Sequence, residues 1–153
     1  EAVRLTTIDA WIEELLQRWR LQRPVIEPSV RLQGSRPGPR LAIDATLGQA
    51  MLNLFNNAAD ASPDKVEIEG SWDDKELRLR VLDRGAGISG DVQGRLGRDV
   101  VSTRGEGRGM GLVLAYAAIE RSGGQLRLDA RKDGGTMAQV CLPLGTLHAP
   151  AGA

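Results

Sequence analysis

The sequence predicts an α/β protein, a two-layer sandwich of helices on a mixed β-sheet. Three segments with apolar residues at helical spacing are separated by pairs of segments whose apolar residues alternate, as they do in half-buried strands. Turn sequences join the members of each pair, so hairpins are expected. The predicted order is α-β-β-α-β-β-α-β-β, which favours two layers over an all-helical or all-strand architecture.

The three helices are predicted from apolar residues that recur every three or four positions. Thr6 or Thr7 is placed to cap the first helix, and Pro24 stops it. Gly123-Gly124 ends the third helix, as glycine commonly does. The predicted helices cover residues 7–21, 45–62 and 109–122.

Six strands are predicted around turn sequences. The stretch 34–39 separates the first two strands, Asp73-Asp74 the next two, and Asp133-Gly134 the last two. Residues 84–108 are rich in glycine and hold no strong helix, which is typical of a functional or mobile segment inside a compact domain. The predicted strands cover residues 25–32, 40–43, 65–72, 76–83, 125–131 and 136–144.

Composition excludes several classes of protein. The 153 residues are 41% hydrophobic and 26% charged, which is typical of one soluble globular domain. Twenty basic and twenty acidic residues give a net charge of zero, which argues against a general nucleic-acid binder. With Cys141 and His148 as the one cysteine and one histidine, neither an internal disulfide nor a Cys/His metal cluster can form. The sequence contains no run of about 18 apolar residues, so no membrane span is predicted.

The second predicted helix carries amide side chains on its polar side. Gln49, Asn53, Asn57 and Asp60 are spaced so that they share one stripe. Asparagine is a poor helix former, so Asn53, Asn56 and Asn57 together depart from what an exposed helix face favours. The stripe is therefore a candidate site, with a solvated face as the alternative.

The fourth predicted strand ends in Asp83, and glycines follow at Gly85 and Gly87. The glycines let the backbone approach a ligand closely, and the carboxylate can accept hydrogen bonds. With Gly90 they also satisfy G-x-G-x-x-G, the dinucleotide-binding fingerprint, although a poor helix follows. An ordinary Asp-Gly turn is the other alternative.

Glycines alternate over residues 105–111 and run directly into the third predicted helix. Backbone N–H groups and the helix dipole make such a start an anion site, and Arg104 and Arg108 add positive charge. The loop is not a Walker loop, because the sequence has no Gly-Lys pair. Amides for hydrated Mg²⁺, a carboxylate for a base edge and a helix start for phosphates together indicate ATP with Mg²⁺.

These motifs resemble the conserved boxes of the GHKL ATPase/kinase superfamily. Residues 53–58 resemble the N box, 83–87 the first glycine box, 107–112 the second and 134–136 the last, in the family's order over about residues 44–144. Within the superfamily the chain resembles the catalytic ATP-binding domain of bacterial sensor histidine kinases, most closely the redox-responsive Reg/Prr type. The resemblance implies the Bergerat fold, in which three helices cover one face of a mixed sheet.

The resemblance also implies roles for individual residues. Asn57 would hold Mg²⁺ through its amide oxygen, with Asn53 supporting the metal or phosphates one turn earlier, and these two are the predicted catalytic and metal-binding residues. Asp83 would accept a hydrogen bond from the adenine amine, which favours ATP over GTP. The predicted nucleotide-binding residues are Asp83, Gly85, Gly87, Ile88, Arg104, Gly107, Arg108, Gly109, Met110, Gly111, Leu112 and Thr136.

Asn53 also bears on the reaction. The topoisomerase and chaperone ATPases of the superfamily have a glutamate there that activates water, and asparagine cannot act as a general base. The expected reaction is therefore transfer of the γ-phosphate to a histidine rather than hydrolysis. One alternative is a nucleotide-binding module without kinase activity, because the lid has residues 99–101, Asp-Val-Val, where the family has aromatics. A dinucleotide-binding oxidoreductase domain is the other.

We expect residues 1–146 to form the catalytic domain and 147–153 a disordered tail. His148 lies in that tail and not in an acceptor motif, so the dimerisation helices with the phosphoacceptor should lie upstream of Glu1, outside this fragment. Its expected partners are that helical domain and a response regulator, without nucleic acid or direct membrane contact. The expected location is the cytoplasm, as part of an inner-membrane sensor.

Overall fold

The computed structural model describes residues 3–85, 108–132 and 134–144. Within them, every predicted helix and strand is present, and one further strand precedes the first helix. In chain order the elements are β1 (Val3–Thr7), α1 (Ile8–Gln22), β2 (Ser29–Gln33), β3 (Arg40–Asp44), α2 (Ala45–Ala61), β4 (Glu67–Trp72), β5 (Glu76–Leu82), α3 (Arg108–Arg121), β6 (Gln125–Ala130) and β7 (Thr136–Pro143).

The main sheet has five strands in the order β2-β4-β5-β7-β6. Strand β2 runs parallel to β4, and the other neighbours are antiparallel, so the sheet is mixed as predicted. β1 and β3 form a separate antiparallel pair in which Val3 lies opposite Asp44. The predicted fold class, a two-layer α/β sandwich, is confirmed.

The core lies between the helices and one face of the main sheet. Residues alternate along β5 and β7, and the buried set faces the apolar sides of the helices. Trp11, Trp19 and Trp72 are at most 7% exposed, so the three tryptophans pack in the core. The rings of Trp19 and Phe55 pack with their centroids 5.2 Å apart. No helix in the described ranges is long and apolar enough to cross a membrane.

The predicted start of the strand over residues 25–32 was wrong. We predicted a strand from residue 25, whereas β2 begins at Ser29. The Ile26 N–H donates to the carbonyl of Arg23 at 3.1 Å, which closes a turn around Pro24 and Val25. Proline favours the second position of such turns, so chain reversal takes precedence over the strand propensity of valine.

Capping side chains fix where the two long helices begin. The Thr7 hydroxyl accepts a hydrogen bond from the Ala10 N–H at 3.3 Å, and the Asp44 carboxylate accepts from the Leu47 N–H at 2.9 Å. These bonds satisfy N–H groups that a helix leaves without an internal partner. Both caps are the last residues of strands, so β1 passes into α1 and β3 into α2 without a loop.

Candidate functional site

Asp83 follows β5 directly and is only 5% exposed. Its N–H donates to the carbonyl of Thr136 at 2.9 Å. Its carboxylate oxygen Oδ1 accepts from the N–H of Thr136 at 3.1 Å and from the N–H of Gly85 at 2.9 Å. Both of these bonds end on Oδ1, so the hydrogen bonds from described residues leave Oδ2 for another donor. The backbone around Asp83 therefore orients a buried carboxylate through one oxygen, and none of the hydrogen bonds from the described residues ends on the other.

Thr136, whose N–H binds this carboxylate, also carries a buried hydroxyl. Thr136 is 6% exposed, and its Oγ1 has no hydrogen-bond partner among the described residues. A buried hydroxyl without a partner is costly, so such a group indicates a place where water or a ligand completes the bonding. Asp83 and Thr136 thus place a buried carboxylate and a buried hydroxyl on two residues that are joined by the hydrogen bond from the Thr136 N–H to Oδ1.

Two glycines allow the chain to close around Asp83. Gly135 has φ +100°, and a Cβ placed on it would lie 2.0 Å from the carbonyl oxygen of Asp83. A Cβ on Gly85 would lie 2.6 Å from the Cβ of Ala61, at the end of α2. We predicted Gly85 for close approach to a base; what the structure shows is close packing of the segment after β5 against the end of α2.

The end of α2 is also joined to the strand end by a side chain. The hydroxyl of Ser62, the C-cap residue of α2, accepts from the N–H of Arg84 at 2.9 Å. Asn53 lies eight residues before Ala61, which is about 12 Å along the helix axis. The candidate site is therefore elongated, with Asp83 near the end of α2 and the amides about two turns further back.

Asn53 joins α2 to the first turn of α3. Its Nδ2 donates to the carbonyl of Gly111 at 3.4 Å, and its Oδ1 accepts from the Nε2 of Gln49 at 3.0 Å. Asn57 lies one turn later on α2 and is half-buried. The predicted amide stripe thus meets the predicted phosphate-binding helix start at the Asn53–Gly111 contact.

The structure gives the other polar residues of α2 a different environment. Asn56 accepts from the indole Nε1–H of Trp19 at 3.0 Å, and Asp60 forms an ion pair with Arg23. Both contacts lie towards α1, whereas Asn53 contacts α3. Of the four residues of the predicted stripe, Asp60 is therefore engaged by Arg23 at the end of α1, and Asn56, which lies beside the stripe, is engaged by Trp19. No group of three or more His, Cys, Asp or Glu side chains in the described ranges could hold a metal ion.

The third helix begins at Arg108, one residue before its predicted start. Its first turn includes the backbone of Arg108, Gly109 and Met110. Gly111 contacts Asn53, and Leu112 packs partly buried against the core. Four of the predicted nucleotide-binding residues lie outside the described residues, namely Gly87, Ile88, Arg104 and Gly107. Residues 99–101, predicted to belong to the lid, also lie outside them.

Comparison with known families identifies the domain. The family model described as histidine kinase-, DNA gyrase B- and HSP90-like ATPase matches residues 43–146. The chain belongs to this family. Membership in this ATPase family excludes the dinucleotide-binding alternative, and the sheet gives the physical reason. A dinucleotide fingerprint requires a parallel βαβ unit, whereas β5 is antiparallel to both of its neighbours.

The relatives of this ATPase domain are sensor histidine kinases, as predicted. The sensor histidine kinase RegB of Cereibacter sphaeroides is 34% identical over 85 residues, which are 48% of this chain and 18% of that protein. The structure of the mycobacterial sensor histidine kinase MprB has 27% identity and a TM-score of 0.75, covering 93% of this chain and 97% of that one. Full-length ShkA in complex with AMPPNP has 25% identity and a TM-score of 0.75, covering 98% of this chain and 33% of that one.

These matches show a histidine kinase-like ATPase domain, with RegB among the relatives. The chain spans about a fifth of the length of the curated relatives it matches, 16% and 21% for the first two.

Proposed function

We propose that residues 1–146 form the catalytic domain of a cytoplasmic sensor histidine kinase that binds Mg-ATP and transfers the γ-phosphate to a histidine. The acceptor histidine would lie on a helical dimerisation domain outside this sequence, and a response regulator would receive the phosphate from it. The observation that carries the proposal is the buried pair formed by Asp83 and Thr136. AMPPNP bound to the similar protein ShkA supports ATP as the ligand.

The Asp83–Thr136 pair suits adenine. The exocyclic amine of adenine would donate to Oδ2 of Asp83, and a ring nitrogen would be satisfied through the Thr136 hydroxyl, directly or through water. Guanine has a carbonyl where adenine has its amine. A carbonyl facing a buried carboxylate leaves both acceptors without a donor, so GTP should bind much more weakly.

The other end of the site suits a metal-bound triphosphate. Amide oxygens such as those of Asn53 and Asn57 are ligands that Mg²⁺ accepts, and the N–H groups at the start of α3 favour phosphate oxygens. Bound Mg²⁺ would neutralise charge on the phosphates. The Asn53–Gly111 hydrogen bond fixes α2 relative to the start of α3, which would position the γ-phosphate for its acceptor.

Asparagine at position 53 supports transfer to histidine over hydrolysis. An amide cannot take a proton from water, whereas a neutral imidazole is nucleophilic without a base. The chain would then supply positioning and charge stabilisation, and the acceptor domain would supply the nucleophile.

Calorimetric titration of Mg-ATP into the wild-type domain and Asp83→Asn tests the site. We expect ATP-selective binding by the wild type and at least about a tenfold loss in the variant, because the carboxamide can present an N–H to the amine. Asp74→Asn is the matched control, since Asp74 is exposed at the opposite end of β5 and should leave binding unchanged. GTP and NAD are the competitors, and a folded wild type that binds no ATP would refute the proposal.

Phosphotransfer needs a separate test with the protein's own acceptor domain supplied in trans. Label from the γ-phosphate of ATP should appear on its histidine. Tight ATP binding without any transfer would instead favour a nucleotide-binding module that lacks kinase activity.

A further inference from the structure

Arg131 lies next to Asp83, although no motif in the sequence points to it. It directly follows β6, and its side chain is only 13% exposed. We propose that Arg131 is a positioning residue that fixes Asp83 for recognition of the base, an inference that rests on the nucleotide-binding function proposed above. It would act on ATP selectivity without touching the nucleotide.

The side chain of Arg131 connects three strands. Its Nη1 donates to the backbone carbonyl of Asp83 at 2.9 Å, and its Nη2 lies 3.7 Å from Oε2 of Glu67 on β4. Its own N–H donates to the carbonyl of Gly135 at 3.0 Å, and its carbonyl accepts from the N–H of Gly134 at 3.2 Å. The backbone of Arg131 therefore closes the β6–β7 hairpin while its guanidinium holds the end of β5.

The Asp83 carbonyl needs such a partner. Asp83 is 5% exposed, and a buried carbonyl without a donor is costly. Gly135 crowds the same oxygen, since a Cβ there would lie 2.0 Å away. The long planar guanidinium reaches this oxygen and the Glu67 carboxylate together, which a single ammonium group does less well.

Holding the carbonyl also orients the side chain. The Asp83 N–H donates to the Thr136 carbonyl, and the Asp83 carbonyl accepts from Arg131. Oδ1 of Asp83 accepts from the N–H groups of Thr136 and Gly85. Releasing the carbonyl lets the peptide after Asp83 rotate, and the carboxylate then moves relative to Thr136. A carboxylate free to move can turn away from the guanine carbonyl, so selectivity for adenine falls along with affinity.

Arg131→Met tests this, because methionine keeps an unbranched apolar stem and removes both polar contacts. We expect the Kd for ATP to rise about tenfold and the preference for ATP over GTP to fall by a similar factor. Arg131→Lys should recover most of the preference, since an ammonium can still donate to the Asp83 carbonyl. Arg127→Met is the matched control, because Arg127 lies on β6 with its side chain 66% exposed and should change neither quantity.

Urea unfolding of each variant separates positioning from stability. A purely structural role predicts a lower unfolding midpoint with an unchanged ATP-to-GTP ratio, and that result overturns the proposal. If Arg131→Met does not fold, Glu67→Gln is used in its place. We expect its ATP-to-GTP preference to fall about threefold, and an unchanged preference overturns the proposal. A wild type that binds no nucleotide refutes the proposed function itself, whereas a selective wild type matched by Arg131→Met refutes only the role of Arg131.

Discussion

Replacing Gly134 or Gly135 by alanine tests how closely the β6–β7 turn approaches Asp83. Their φ angles are nearly equal, +99° and +100°. A Cβ on Gly134 meets nothing within 4 Å, whereas a Cβ on Gly135 lies 2.0 Å from the Asp83 oxygen and 2.8 Å from Cα of Arg84. Alanine at either position would have a positive φ that L residues rarely adopt, and only alanine at 135 carries the overlap as well.

The expected magnitudes follow from these distances. Alanine at a positive φ costs about 1–3 kcal/mol, so Gly134→Ala should lower the free energy of unfolding by that amount. Ordinary contact needs at least 3.4 Å, so the Asp83 backbone must retreat by more than about 1 Å to admit a methyl at Gly135. Forcing extra atoms into a packed region costs about 1–3 kcal/mol more. Gly135→Ala should therefore be the less stable variant by about that difference.

Urea denaturation of both variants measures the difference, and ATP titration shows its effect on the site. Gly135→Ala should lose most ATP binding because it displaces Asp83, and Gly134→Ala should keep it. Equal stability and equal binding of the two variants would refute the contact between Gly135 and Asp83.

Two further predictions concern residues away from the nucleotide. Asn56→Ala leaves the buried indole N–H of Trp19 without its acceptor, so the free energy of unfolding measured by urea denaturation should fall by about 1–3 kcal/mol. The affinity for ATP should stay unchanged, and a fall in affinity as large as that of Asn57→Ala would contradict this. The pKa of Asp9 is lowered, chiefly by the Gly38 N–H that it accepts at 2.6 Å, so its stabilising effect is present above its ordinary pKa of 3.8 and is lost as the pH falls through the lowered value. As the pH falls from about 5 to about 3, the urea midpoint of Asp9→Asn should therefore fall less than that of the wild type. An equal fall of the two midpoints would contradict the prediction.

The three helices could be predicted from the sequence because the residues that determine them lie within the helices and at their ends. Apolar periodicity and capping residues predicted residues 7–21, 45–62 and 109–122, and the structure has Ile8–Gln22, Ala45–Ala61 and Arg108–Arg121. Strand β1 was missed because it is defined by pairing with β3, and Thr7 lies opposite Arg40, 33 positions later. No pattern inside five residues reveals such a partner.

The candidate site shows the same division. Asn53 and Asp83 were predicted from their residue types and their places on a helix and at a strand end, and Thr136 from the resemblance of residues 134–136 to the last glycine box. Arg131 was not predicted, because its contact with Asp83 spans 48 positions and arises from the β6–β7 hairpin. The role of Asn56 was equally hidden, because the indole that it binds belongs to α1, 37 positions away.

The pairing of β1 with β3 has a structural consequence. Val3 lies opposite Asp44, and Asp44 caps α2, the helix that carries Asn53. The β1–β3 ladder and the Asp44 side chain, which accepts from the Leu47 N–H, thus connect Val3 to the first turn of α2 with no loop between β3 and the helix. The position of the amide-bearing helix therefore depends on the strand pairing of the first described residues as well as on the packing of its apolar face.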